Sequence, residues 1–244
     1  EDRPAVYHRW RDLVSFKFGS RPHEYIALPV SYSRAHPSPR YLELQQLYRA
    51  MHEQGEIFLG IPAEETFPGK SLPAQAARIR PLIISTGAQT ILDYGSGKGK
   101  QYEPTVVLDE NGRRWPSMMD YWNVEEVVCY DPCYEPFSRL PKGKFDGVVS
   151  TDVLEHCPEE DIPWIVGEMF DFAERFVFAN IACFPARKRL SNGENAHCTI
   201  RPPEWWKQLL DEIAARHSGI QWEVWVSHTQ GDSQNIVEQK LGNT

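Results

Sequence analysis

The stretch TILDYGSGKG, residues 90–99, constrains the fold more than any other part of the chain. An apolar run ends at Asp93 and passes at once into a turn with glycine at 95, 97 and 99. Such a junction forms where a buried strand stops at the carboxyl edge of a sheet and the backbone must turn in conformations only glycine takes easily. From here the apolar runs alternate with helical patterns. We read strands at 90–94, 124–130, 145–150, 175–182, 221–228 and 235–241, and helices at 159–174 and 204–217. That alternation predicts an α/β fold with a parallel sheet. The last two strands are joined by TQGDSQ, too short for a crossover helix, so they are expected to pair antiparallel.

Upstream, residues 1–37 are rich in aromatics, arginine and proline, and are read as irregular with one short helix. Ser38 and Pro39 signal a helix start, Tyr41, Leu44, Tyr48 and Met51 recur at helical spacing, and Gly55 marks the stop. A second helix is expected from Ser71, with Pro73 in its first turn and Pro81 bending or ending it. Residues 1–75 are therefore read as an N-terminal cap and 76–244 as the main domain. Two places depart from a regular alternation. After the glycine loop a helix is interrupted by Pro104, the turn DENG and the stretch RRWPSMMDYW. Between Asp131 and the strand at 145 the connection is short and holds three prolines, so a strand and helix are missing there.

Charge narrows the partners. A net charge of −8 and a pI near 5.5 disfavour nucleic acid, whose phosphates call for clustered cations, although the run ARKRL at 186–190 could hold one phosphate. No run of about 18 apolar residues predicts a membrane span. The five cysteines include a C-x3-C pair and no C-x2-C pair; with no leader peptide in view, they are read as reduced thiols of a cytoplasmic protein. Oligomeric state is not legible.

The glycine turn alone is consistent with a strand-to-helix turn that binds nothing. A second acid sharpens it: Asp131 ends the next strand, VVCYDP, where a carboxylate can accept from both hydroxyls of a ribose. A dinucleotide site would instead want G-x-G-x-x-G and an acid about 20 residues on. Position 100 is Lys and Asp131 lies farther away, so a nicotinamide oxidoreductase is the weaker reading.

Over roughly residues 70–241 the sequence resembles the class I S-adenosylmethionine-dependent methyltransferases, on LDYGSGKG, the Asp131 strand end, FDGVVSTDVLEH and the closing antiparallel pair. The resemblance implies a Rossmann-like sheet with a helical N-terminal cap. It implies that Asp93, Gly95, Ser96, Gly97 and Gly99 surround the methionine part of the cofactor, that Asp131 holds its ribose, and that Asp152 adds a contact. Lys70 is read as solvated.

The stretch TDVLEH, 151–156, sits where this fold faces the transferable methyl group. If it is helical, Asp152, Glu155 and His156 share a face at i, i+3 and i+4. With His197 from the loop RKRLSNGENAHCTI they offer two carboxylates and two imidazoles to Mg²⁺ or Mn²⁺. The pattern resembles the metal site of the small-RNA terminal 2′-O-methyltransferases and, in part, the ubiquinone-pathway O-methyltransferases, both of which begin with Glu where this chain has Asp152. Metal-free alternatives remain: the acid caps a turn and His156 packs, or His197 or His156 acts as general base. The other histidines are read as structural or surface residues, and Trp205 and Trp206 as one core anchor and one pocket-lining ring. The functional expectation is methylation of a small-molecule or glycan hydroxyl, against a metal-free O- or N-methyltransferase and a non-catalytic nucleoside-binding module.

Overall fold

The computed structural model describes residues 31–229 and 235–244. The expected short helix within 1–37 lies largely outside them. The chain runs α1 (Pro39–Gln54), α2 (Ser71–Thr86), β1 (Thr90–Tyr94), β2 (Val107–Leu108), β3 (Arg114–Trp115), α3 (Met118–Trp122), β4 (Glu126–Tyr130), β5 (Phe145–Thr151), α4 (Ile162–Phe172), β6 (Ala173–Ala182), α5 (Pro203–Ala214), β7 (Gln221–Thr229) and β8 (Ile236–Gly242). Residues 32–75, the described part of the segment expected to form a cap, belong to the same compact unit as the sheet.

One sheet has the order β4-β1-β5-β6-β7-β8. All neighbours are parallel except β7 and β8, which pair antiparallel as their short connection requires. Every residue of β5 is buried, as expected of an inner parallel strand covered on both faces. Side chains of β1 alternate between the two layers. Ile91 joins Leu72, Ile79 and Leu82 of α2 and Trp122 of α3 on one face. Leu92 joins Ile165 and Met169 of α4 and Trp206 and Leu210 of α5 on the other. Trp206 is fully buried and Trp205 packs half-buried against the same core, so neither ring lines a cleft at the carboxyl edge of the sheet.

The strand order sets one place on that edge apart. The chain leaves β1 toward β4 on one side and returns to β5 on the other, so the direction of winding reverses between β1 and β5. Open α/β sheets hold their ligands at the carboxyl ends of such a reversal. Here the connection from β4 to β5 carries only a single helical turn, Glu135–Phe137, in agreement with the missing strand and helix. The glycine loop likewise leads into one short turn, Lys100–Tyr102, and then the β2–β3 hairpin.

Two local expectations are corrected. Of the two outcomes expected at Pro81, the helix does not end there, because α2 continues to Thr86. The proline and Ala77, whose carbonyl loses its partner, both face solvent, so water can replace the missing bond. The 152–156 turn is not α-helical. Asp152 is left-handed, with φ of 53°, and its N–H still donates to the Asn180 carbonyl, 3.3 Å away, as an extension of the sheet ladder. Only Leu154–His156 form a tight turn. The chain has to leave a buried strand within one residue, and a left-handed aspartate makes that bend.

Candidate functional site

Six segments meet at the carboxyl ends of β1 and β5. The glycine loop is tied to β4: the N–H groups of Gly95 and Ser96 donate to the Tyr130 carbonyl, at 2.7 and 3.1 Å. Asp131 closes the loop from the other side, accepting from Gly97 N–H at 3.0 Å and from Cys133 N–H at 2.8 Å. Gly95 and Gly97 are required by close approach. A Cβ on Gly95 would lie 2.4 Å from Val153 of the facing turn, and one on Gly97 would lie 2.4 Å from the Phe67 carbonyl oxygen. Phe67, with φ of 50°, accepts from Lys98 N–H through that same oxygen.

Both strand-end acids are buried, and burial pushes each up to about 6. Asp93 accepts from Gln101 and the Tyr102 hydroxyl, each at 2.9 Å, through one oxygen. Its other oxygen is buried with no partner among the described residues. A buried carboxylate with spare accepting capacity beside a glycine loop fits a ligand that brings hydrogen-bond donors, as an amino-acid ammonium and a ribose do. Ser96 is buried within the loop and Gly99 packs against Phe137.

α1 lies over this junction. Tyr48 hydrogen-bonds His156 Nδ1 at 3.0 Å and donates to the Ala196 carbonyl; His156 Nδ1 also reaches that carbonyl at 2.8 Å. His52, one turn further, stacks on Tyr134 with ring centroids 5.1 Å apart and brings Nε2 within 3.9 Å of Asp131. Burial, then Lys98 and Lys188, lower its pKa to about 3, so it is neutral. The sequence reading does not single out His52, Tyr48, Phe67 or Tyr134 as site residues, and it takes His52 as structural or surface. A signal is present all the same: His52 follows Tyr48 by four residues, on the face marked by Tyr41, Leu44 and Met51.

Two clefts open around Phe67. The first lies beneath α1, between Tyr41, Tyr48, His52, Gly97, Asp131 and Val153, and encloses about 110 Å³. The second, about 530 Å³, is bounded by Ser71, Gly95, Gln101, Asp152, His156, Lys188 and His197. Lys70 lines its rim, exposed and paired with Glu65.

The structure brings the Asp152, Glu155, His156 and His197 cluster together. The two imidazoles stand 4.8 Å apart, nearly perpendicular. His197 Nδ1 meets the Phe184 carbonyl at 2.6 Å, and His156 Nδ1 meets that of Ala196, so both rings direct Nε2 away from the backbone as acceptors. Burial lowers both imidazoles, that of His156 to about 3. Glu155 is fully buried, accepts from Ala182 N–H with one oxygen and leaves the other without a partner among the described residues. Burial raises Glu155, and the neighbouring Asp152, itself exposed, adds to it. Asp152 is held by the Asn180 amide. Two carboxyls and two backbone-anchored imidazoles suit a divalent cation in kind. In this geometry, however, no three His, Cys, Asp or Glu donors among the described residues come close enough to hold one, so a shell would need side-chain movement.

No protein-family model matches this chain, and no curated protein matches it in sequence. Among the described residues no helix is long and apolar enough to cross a membrane.

Proposed function

We propose that the chain is an S-adenosylmethionine-dependent methyltransferase acting on a hydroxyl of a small molecule or glycan. The observation that supports it most is the pair of acid-ended neighbouring strands, β1 and β4, joined through the glycine loop at the point where the sheet reverses. The bound cofactor would supply a methyl group on a sulfonium, open to in-line attack by a lone pair.

The chain's own residues then have three tasks. Asp131 accepts from ribose hydroxyls while fixing Gly97, so loop shape and ligand recognition share one carboxylate. Asp93 lines neither cleft and acts through Gln101, which it anchors; Gln101 and Ser96 form the polar edge where the amino-acid end would lie. His197 accepts the acceptor's proton at Nε2: its Nδ1 is committed to the Phe184 carbonyl, and Asp152 favours the imidazolium that results. His156 is more deeply buried and further depressed, which makes it the poorer base and a positioning residue through Tyr48. Alignment of donor and acceptor between Phe67 and the histidines does the remaining work.

Calorimetry with S-adenosylhomocysteine on the wild type and on Asp131→Ala tests the reading. Binding to the first, weakened by on the order of 1.5–3 kcal/mol in the second, is expected from loss of charge-assisted hydrogen bonds. Binding of NAD in place of the nucleoside thioether would overturn it.

A second reading, in which a divalent ion assists, rests on the kind of donors present, two neighbouring imidazoles and a buried Glu155 oxygen without a partner among the described residues, and requires those side chains to move closer together. Asp152, Glu155, His156 and His197 would hold the ion, which would orient the acceptor hydroxyl and lower its pKa. Methyl transfer that survives exhaustive EDTA treatment, with no metal on elemental analysis, excludes this variant and leaves His197 as base.

A further inference from the structure

The chain carries a net charge of −8, yet the second cleft, which holds both histidines, is also lined by Arg187 and Lys188. Arg187 and Lys188 stand there on a firmly built loop. Ala186 exchanges two 2.9 Å hydrogen bonds with the Asn195 side chain, Leu190 N–H donates to the Glu194 carbonyl at 2.8 Å, and Ala196 N–H donates to the carbonyl of Lys188 itself. Leu190 and Ala196 are fully buried beneath it. This loop therefore fixes the backbone from which Arg187, exposed, and Lys188, half-buried, extend.

Lys188 is the unusual member. It is half-buried, its ammonium lies 4.6 Å from the Phe67 ring centroid, and among the described residues it forms no ion pair or side-chain hydrogen bond. The carboxylate that attracts it is Glu56, whose two oxygens are engaged by the N–H groups of Leu59 and Arg189. The other lysines near the clefts are satisfied: Lys70 by Glu65, Lys98 by His52, Lys100 by the Glu64 carbonyl. A half-buried ammonium on an aromatic face, without a carboxylate of its own, is costly unless an anion meets it. Burial accordingly lowers its pKa.

We infer that the second cleft takes a small methyl acceptor bearing a phosphate or carboxylate group, with Lys188 and Arg187 as the socket for that anion. Calling the ligand an acceptor rests on the methyl-transfer reading; the anion socket does not. Lys188 and Phe67 would then orient the acceptor from one side while His197 meets its hydroxyl from the other, all three lining the same cleft. A volume of about 530 Å³ is that of a small-molecule pocket.

The test uses the full chain with phenyl phosphate, benzoate and uncharged phenol as probes, measured by calorimetry with and without saturating S-adenosylhomocysteine. At least one anionic probe should bind tenfold or more tightly than phenol; which one separates a phosphate acceptor from a carboxylate acceptor. Lys188→Gln should lose that preference, Lys188→Arg should keep it, and S-adenosylhomocysteine affinity should be the same in all three proteins. Equal binding of phenol and both anions, or a preference unchanged in Lys188→Gln, overturns the inference. So does a Lys188→Gln protein that loses S-adenosylhomocysteine instead, since Lys188 would then serve the carboxylate of the cofactor. If the wild type binds no S-adenosylhomocysteine, the cofactor reading falls, and the probe measurement without it still decides the socket.

Discussion

Protonation of Asp131 should set the pH dependence of cofactor binding. The carboxyl is buried behind α1, and burial raises it from 3.8 to about 6 even though two N–H groups donate to it. A ribose diol donates to the ionised form, so ligand and proton compete. Affinity is therefore complete above about pH 7 and falls as pH drops through 6. At pH 5 about one molecule in eleven holds Asp131 ionised, which weakens binding roughly tenfold, or about 1.4 kcal/mol. Asp93 is raised to the same region by burial and has an unpartnered oxygen, so a second proton is taken up if the cofactor ammonium needs its charge. The slope of log Kd against pH between 4.5 and 5.5 should accordingly lie between about −1 and −2, and its magnitude counts the protons taken up. Calorimetry of S-adenosylhomocysteine at pH 5, 6, 7 and 8 measures it, and Asp131→Asn should lower that magnitude by one. An affinity that is flat from pH 5 to 8 would refute the reasoning, because it would mean that neither carboxyl meets the ligand.

Gly97→Ala should cost about 1–3 kcal/mol of backbone strain in urea unfolding, plus the clash of the new methyl with the Phe67 carbonyl at 2.4 Å, and weaken cofactor binding; Gly60→Ala, equally left-handed at φ of 67° but with nothing within 4 Å, should cost only the strain, about 1–2 kcal/mol, and leave cofactor binding unchanged. Trp206→Ala removes a fully buried side chain from between α4, α5 and the sheet, for an expected loss of about 3–5 kcal/mol, visible as a clear drop in thermal midpoint. Arg34→Ala leaves Glu168 facing the Tyr94 and Tyr130 hydroxyls without its guanidinium, and should cost about 1–3 kcal/mol, less at high salt if the pair is wet.

The sheet is legible in the sequence because each strand is a short apolar run that ends in a polar or glycine-rich turn, a signal that needs no knowledge of neighbours. All six strands form within a few residues of expectation; β6 starts two residues earlier than read, at Ala173. Pro81 misleads because the rule against proline inside a helix concerns an unsatisfied carbonyl, and satisfaction depends on exposure, which a sequence does not state. The 151–156 stretch misleads for a different reason: i, i+3 and i+4 spacing assumes a helix, whereas the residues here converge from a left-handed strand end and a tight turn. The spatial company of Asp152, Glu155, His156 and His197 is nevertheless legible, because they occupy neighbouring loops at one sheet edge. Phe67, Tyr134 and the Tyr48–His156 link are not, since they depend on how α1 and its following loop lie across the strands.

The first cleft has a kinetic meaning. At about 110 Å³ it is below the roughly 300 Å³ at which ligand pockets begin, and it is roofed by α1 through Tyr48 and His52. A nucleoside larger than that volume would have to lift the roof to lie wholly within it, and the free energy of lifting would then be subtracted from every measured affinity. Lifting breaks the Tyr48 hydrogen bonds to His156 and Ala196, which places the opening step in series with the imidazoles it would uncover. Association rates should then level off as ligand concentration rises, at a ceiling set by α1 and shared by every ligand that enters beneath it.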